Sequence, residues 1–298
     1  MNTLCALEGF VNLAARIEDR IAEKYTDLSA KLKDAADFVV SNQVDVAARS
    51  LRSVSVASGV SPATLSRLAR ALGFESYEDM RELCRSAVGN RNISFADRAE
   101  RLKDEAGDSQ AILDKQAAAC VWNVTELAET IDRGRLEQAV KALRHANGVV
   151  LFGAFSSTGV VEYMAYLANF FCCNWTLAGR MGASLGATLS DIGPEEVLLI
   201  VTKTPYARRA VLAAKMATEA GAQTIVITDS HACPANKYAT FSFIVPSDSP
   251  QFFSSYAATL MLIETMIAMI VAQSGVVASD RIRGVESRNQ SLGDFWAD

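Results

Sequence analysis

Ser53-Val54-Ser55-Val56-Ala57-Ser58-Gly59-Val60-Ser61-Pro62-Ala63-Thr64-Leu65-Ser66-Arg67-Leu68-Ala69-Arg70-Ala71-Leu72-Gly73 reads as helix, tight turn, helix. Ser61 is placed to cap the second helix, with Pro62 at its first position, where a missing N–H leaves nothing unsatisfied. Leu65, Leu68, Ala69 and Leu72 recur at helical spacing and form the stripe to be buried, and Gly73 closes the helix. The turn at Gly59 is too short for antiparallel packing, so the helices should cross steeply, as in a helix-turn-helix. Pro62, Ala63, Thr64, Ser66, Arg67 and Arg70 are left facing outward. These small or cationic side chains suit a helix entering a major groove of about 12 Å width.

The charge pattern points the same way. Residues 46–74 carry Arg49, Arg52, Arg67 and Arg70 and no carboxylate, although the chain has a formal net charge of −5. A local cationic face on an anionic protein is the electrostatic footprint of a DNA reader. A helical hairpin with merely solvated arginines has the same local pattern. The overall acidity excludes non-specific wrapping of nucleic acid and leaves room for one small basic patch.

Working outward, 298 residues of which 50% are apolar suffice for two domains with separate cores. The six cysteines, at positions 5, 84, 120, 172, 173 and 233, show no CxxC pairing and read as reduced thiols of a cytoplasmic protein. The only histidines, His145 and His231, have no cysteine at ligand spacing, so neither a metal nor a cofactor is expected. The N-terminus lacks the pattern of a secretion signal. The longest apolar stretch, 257–272, contains Glu264 and falls short of the ~20 residues that span a bilayer. It reads as a buried helix, and no membrane partner is expected.

Helical periodicity continues on both sides of the opening stretch. Residues 11–24 carry Leu13, Ile17 and Ile21 on one face, and 28–40 carry Leu28, Leu32, Ala35, Ala36 and Val39. Residues 44–48 begin a short helix. Phe74 and Tyr77 supply aromatic anchors before a closing helix with Met80, Leu83 and Val88. The all-helical domain is expected to span 1–89. A linker and bridging helix follow at 90–130, then an α/β domain at 131–275 and a polar tail at 276–298 that is either loose or clasped to a neighbouring subunit.

After Gly148 the period changes. Val149-Val150-Leu151-Phe152, Val197-Leu198-Leu199-Ile200-Val201, Thr224-Ile225-Val226-Ile227 and Phe241-Ser242-Phe243-Ile244-Val245 are short runs rich in branched residues, with helical stretches between them. A weaker strand at 175–177 brings the total to about five. Continuous apolar strands alternating with helices predict a parallel sheet covered on both faces, a doubly wound αβα sandwich.

Ligands in such sheets bind outside the carboxyl ends of the strands. The loop after the first strand, Gly153-Ala154-Phe155-Ser156-Ser157-Thr158-Gly159, leads into a helix, as does Thr202-Lys203-Thr204-Pro205-Tyr206-Ala207-Arg208 after the third. Hydroxyls, helix-start N–H groups and cations make these loops a candidate anion site formed by Gly153, Ser156, Ser157, Thr202, Lys203, Thr204 and Arg208. In the second loop Thr204 is expected to cap the helix, with Pro205 at its first position. Plain capping would use the same residues. Neither GxGxxG nor GxxxxGK[ST] fits, and the glycines of 179–186 read as a loop bordering the pocket.

Gly59-Val60-Ser61-Pro62-Ala63-Thr64 and Leu72-Gly73-Phe74, followed by a strand-Gly-x-x-x-Ser loop and a strand-Thr-x-Thr loop, resemble the RpiR (MurR/RpiR) transcriptional regulators. That family joins a helix-turn-helix domain to a sugar isomerase (SIS) domain. The resemblance implies a SIS domain that senses a phosphorylated sugar or sugar acid, and a homodimer or homotetramer on a near-palindromic double-stranded DNA operator. The family's first loop, Gly-x-Gly-x-Ser, retains Gly153 and Ser157, with Phe155 in place of the second glycine. Its Ser-x-Ser-Gly-x-Thr loop becomes Thr202 to Ala207, with Pro205 replacing the glycine and Ala207 the last hydroxyl. An uncompensated loss of that N–H and hydroxyl weakens a phosphate cradle by about 1 to 3 kcal/mol; either Lys203, Arg208 or Arg209 compensates, or the ligand is a carboxylate or a different phosphate.

The leading expectation is a regulator without catalytic residues. Ala63, Thr64 and Arg67 reach base edges, Arg52, Ser66 and Arg70 hold phosphates, and Ser61 fixes the helix start. The competing class is a sugar phosphate isomerase with an appended helical domain, for which Glu162, Glu264 and His231 are the candidate general bases. A protein-interaction adaptor leaves the basic face without a role.

Overall fold

The structure, a computed structural model, describes residues 17–92, 95–103, 109–179, 182, 184–294 and 296. The chain divides into two compact units, residues 1–94 and 95–298. The expected helix over 11–24 lies partly outside the described residues, which begin in it at Ile17, and Cys5 is outside them altogether.

The first unit is helical throughout its described part: α1 (Ile17–Lys24), α2 (Ala30–Ser41), α3 (Gln43–Ala48), α4 (Leu51–Ser58), α5 (Pro62–Ala71) and α6 (Tyr77–Asn92). Its core follows the periodicity. Ile17, Ala35, Ala36, Val39, Val46, Val54, Leu65, Leu68, Ala69, Met80 and Cys84 are buried together. Serines start the two central helices. Ser50 Oγ accepts from the Ser53 N–H at 3.3 Å, and Ser61 Oγ from the Thr64 N–H at 3.2 Å. Gly59 ends α4 at φ 68°, a left-handed conformation that a β-carbon disfavours, and this lets the chain turn within three residues. Ser76 and Asp79 cap the start of α6 reciprocally, each side chain accepting from the other's N–H. That helix continues through Gly89 and Asn90 to Asn92, so the helical unit extends past residue 89.

In the second unit α7 (Phe95–Lys103), α8 (Ser109–Thr130) and α9 (Arg133–His145) precede the sheet. Then come β1 (Gly148–Gly153), α10 (Ser157–Phe171), β2 (Trp175–Leu177), α11 (Leu185–Ser190), β3 (Glu196–Val201), α12 (Arg208–Glu219), β4 (Gln223–Thr228), β5 (Phe241–Ile244) and α13 (Ala257–Leu292). The five strands are all parallel in the order β2-β1-β3-β4-β5. Side chains alternate between two cores. Val149, Leu151, Leu199, Val201 and Ile227 face α8, α9, α10 and α13, while Val150, Phe152, Leu198, Ile200 and Val226 face α11 and α12. The register sets Gly153 beside Val201. From there the chain after β1 departs toward β2 and the chain after β3 toward β4, which opens a crevice where the strand order reverses.

Two expectations need correction here. The region after 275 is helical rather than a loose tail: Gly275, at φ 58° and ψ −139°, bends the chain and helix resumes to Leu292. Ala278 is buried, Ile282 packs on the core, and Arg281 donates to the Asn169 carbonyl at 3.3 Å, so this segment belongs to the α/β unit. Within 179–186, Ser184 caps the short helix α11 by accepting from the Ala187 N–H at 3.0 Å. By length and composition α13 could cross a bilayer. One face of it, with Ala258, Leu262, Ile263, Met266 and Ile270, is buried in the core as expected.

Candidate functional site

In the helical unit the outward arc of α5 is Pro62, Ala63, Arg67, Arg70 and Ala71, all exposed, with Ser66 half-buried. Thr64 departs from expectation. It retains only 6% exposure, its hydroxyl lies 2.8 Å from Ser61 Oγ, and its N–H is the group that Ser61 caps. Ser61 and Thr64 therefore form the frame of the helix start, and Thr64 does not face outward. Arg67 folds along its own helix, Nε reaching the Ala63 carbonyl and one terminal nitrogen reaching Thr64 Oγ1, both at 3.4 Å. Bonds this long and exposed give way readily to a stronger acceptor. On α4, Arg52 and Val56 are exposed. Arg49 is paired at 3.0 Å with Asp45, a carboxylate one residue outside the 46–74 window. The cationic surface therefore rests on Arg52, Arg67 and Arg70.

In the α/β unit the loops after β1 and β3 both reach the Ser255–Tyr256 segment before α13. A β-carbon on Gly153 would lie 2.4 Å from the Ser157 carbonyl oxygen, so only glycine lets β1 run this close to α10. Phe155 takes φ 55°, a conformation that costs an L-residue about 1–2 kcal/mol, and the residue is 73% exposed. Ser156 is the N-cap of α10, yet its side chain makes no capping bond. Instead Ser156 Oγ and the buried Ser157 Oγ both lie 2.9 Å from the Tyr256 hydroxyl at the start of α13.

In the second loop Thr202 is buried and continues the ladder by donating to the Ile227 carbonyl at 3.0 Å. Lys203 is buried too. Its Nζ donates to the Ser255 carbonyl at 2.7 Å and lies 4.4 Å from the centre of the Tyr256 ring. Burial pulls its ammonium down to about 7 against the opposing pull of the Asp229 and Asp248 carboxylates. Thr204 does not cap α12, and Pro205 is not its first residue. The Thr204 N–H donates to Asp229 Oδ2 at 3.1 Å, the Thr204–Pro205 bond is cis, and the helix starts at Arg208 with Ala207 as its N-cap and no side-chain capping bond. Thr204 Oγ1 is buried without a hydrogen-bond partner. Arg208 is exposed on the first turn of α12, and the Arg209 guanidinium lies 5.9 Å from the centre of the Phe152 ring.

Hydrogen bonds and a ring contact thus join Ser156, Ser157 and Lys203 through Ser255 and Tyr256, and tie Thr204, two residues past Thr202, to Asp229; Asp229, Ser255 and Tyr256 are residues the sequence did not single out. Asp229 had a readable signal, since it follows β4 directly. The segment bearing Ser255 and Tyr256 is held by Asn123 of α8, which donates to the Asp248 carbonyl at 2.7 Å and accepts from its N–H at 3.0 Å. Of the candidate general bases, Glu264 accepts from Tyr163 at 2.8 Å at the surface, and Glu162 and His231 are exposed. Among the described residues no group of three or more His, Cys, Asp or Glu could hold a metal ion.

Residues 15–87 match the helix-turn-helix domain of the rpiR family, and residues 142–269 match the SIS domain. An uncharacterized HTH-type transcriptional regulator of Thermotoga maritima is 20% identical over 91% of this chain and 95% of its own length. Another from Caldanaerobacter subterraneus is 24% identical over 91% and 94%. Among solved structures, the Vibrio vulnificus NanR protein complexed with ManNAc-6P superposes with a TM-score of 0.55 at 20% identity, covering 93% of this chain and 99% of that one. The sugar isomerase domain of the RpiR transcription factor from Sphaerobacter thermophilus gives 0.57 at 21% identity over 60% and 99%. The chain belongs to the rpiR family of helix-turn-helix transcriptional regulators that carry a SIS domain.

Proposed function

We propose that the protein reads an operator in duplex DNA through α5 and that a phosphorylated sugar or sugar acid in the β1–β3 crevice adjusts its hold. The carrying observation is the outward arc of α5, where small side chains at Pro62 and Ala63 stand beside Arg67 and Arg70 just after a well-capped helix start. Ala63 and Arg67 are the base-edge residues; Arg52, Ser66 and Arg70 take phosphates. Thr64 contributes by holding the helix end with Ser61. The effector reading is supported by the serine hydroxyls at the start of α10 and by the ligand in the NanR structure.

The protein works in the cytoplasm as a homodimer or homotetramer, because paired reading heads must meet major-groove faces about 34 Å apart. α13 offers an apolar face for pairing, with Leu260, Met261, Met269 and Val271 half-buried and Val276 and Val277 exposed. The SIS unit acts as a sensor rather than an isomerase: the hydroxyl cluster lies with Lys203 and Tyr256, and Glu264 is engaged by Tyr163. Turnover of any sugar phosphate by the purified chain contradicts this part of the proposal.

The test is Arg67→Ala in DNA titrations at several salt concentrations. Affinity for promoter fragments from the protein's own genomic neighbourhood is expected to fall by about 1–3 kcal/mol with relaxed specificity at one base pair. Unchanged affinity and specificity contradict the assignment of α5.

A further inference from the structure

Lys203 is a buried cation at the carboxyl end of β3, with 5% of its surface exposed. An ammonium has three N–H donors, and burying one is unfavourable unless acceptors surround it. Here one donor goes to the Ser255 carbonyl, and the Tyr256 ring face lies beside the nitrogen. The charged groups acting on it are Asp229, after β4, and Asp248, after β5. Asp229 already accepts from the Thr204 N–H at 3.1 Å and from the Thr228 hydroxyl at 3.4 Å. The amine thus sits in the crevice with donor capacity in reserve, and it is tied through Tyr256 to the two serines of the first loop.

The second loop is altered in the opposite sense. Pro205 has no N–H, Ala207 no hydroxyl, and α12 begins late. Two serine hydroxyls thus stand at the start of α10, and the second loop presents the desolvated Lys203 ammonium beside the buried Thr204 hydroxyl. A neutral ligand hydroxyl adds no opposite charge at the amine to those of Asp229 and Asp248. A planar carboxylate offers two oxygens to the remaining N–H groups and makes a charge-assisted bond with them.

Resting on the reading of the crevice as the effector site, we propose that Lys203 makes the site selective for an effector bearing a carboxylate beside its phosphate. The hydroxyls of Ser156 and Ser157 exchange the Tyr256 phenol for the phosphate, and the amine takes the carboxylate. Because the free amine titrates at about 7, an anion bound to it favours the charged form. The preference for a carboxylate therefore weakens as pH rises from about 6.5 toward 9.

The experiment titrates the full chain calorimetrically with matched pairs: 6-phosphogluconate against glucitol 6-phosphate, and 5-phosphoribonate against ribitol 5-phosphate. Both members of a pair are open chains with the same phosphate, so the ratio of affinities isolates the carboxylate. The expected ratio is at least about tenfold at pH 6.5, the size of one charge-assisted hydrogen bond, and it declines with pH. Lys203→Gln brings it to within about threefold, and Lys203→Arg keeps the preference but removes its pH dependence, since a guanidinium stays charged. Far-UV circular dichroism and thermal unfolding establish that both variants are folded; should the Gln variant unfold, the flat pH profile of the Arg variant decides. If the alditol phosphates bind as tightly as their aldonates, or the ratio survives Lys203→Gln, the selectivity is overturned and the effector site stands. If no member of either pair binds, the effector reading falls and the selectivity with it.

Discussion

A methyl group at position 153 has nowhere to go. The nearest atoms are the Ser157 carbonyl oxygen and carbon, which are backbone, so relief requires the start of α10 to move away from β1. Gly153→Ala is expected to destabilise the SIS unit by about 1–3 kcal/mol and to weaken effector binding, read by thermal unfolding and calorimetry; an unchanged unfolding temperature contradicts the close approach. This glycine was legible as a loop signal after a strand, as were Ser156, Ser157 and Lys203. Tyr256 was not, because it reaches the serines from 99 and 100 residues away and no local spacing announces such a contact. Thr64 faces inward, against the expectation, for a local reason. The bonds that cap an N-terminus join the cap to the residue three positions on, and this turned Thr64 toward Ser61 and away from solvent. At Thr204 the dipeptide Thr-Pro has the composition of a cap and first helical residue, but its N–H is taken by Asp229, and the chain needs three further residues before α12 starts.

At the level of elements, α5 is the clearest case of sequence dictating structure, since cap, proline, apolar stripe and closing glycine agree. Ser61→Ala removes the cap of the Thr64 N–H and the partner of its hydroxyl together. The helical unit is expected to lose about 1 kcal/mol in chemical denaturation, and DNA affinity to fall with it; Ser61→Gly should lose less. Equal stability of all three forms contradicts the capping role. Four strands of the sheet were readable from their branched runs, and the three-residue β2 at its edge only as a weaker signal at 175–177. Their order was not, since it depends on which faces the intervening helices cover. α13 beyond Gly275 carries little helix signal because a glycine after an apolar helix is the usual mark of an end, and its polar residues leave only buried Ala278 and half-buried Ile282 on the core. The pair Arg283–Asp280 at 2.8 Å is the exposed spacing that supports that segment as helix.

For the whole molecule, an acidic chain that binds an acidic polymer depends on where its few positive charges stand. With a net charge of −5, the proposed reading rests the attraction on the arginines of α4 and α5, and it predicts that rising salt weakens binding steeply. The two-domain plan was legible from the change of period at Gly148, while the join at residues 94 and 95 lies past the glycine where composition alone had set it. Regulation requires that effector and operator each change the other's affinity by the same factor, of about 5- to 150-fold for ordinary couplings. The deciding measurement is operator affinity at one fixed salt concentration, with and without a saturating sugar phosphate or sugar acid phosphate chosen by thermal-shift screening. The account predicts a change of at least about fivefold in the wild-type chain that disappears in Ser157→Ala, with operator binding itself intact in that variant. Identical operator affinity in the presence and absence of a ligand that demonstrably binds would contradict it.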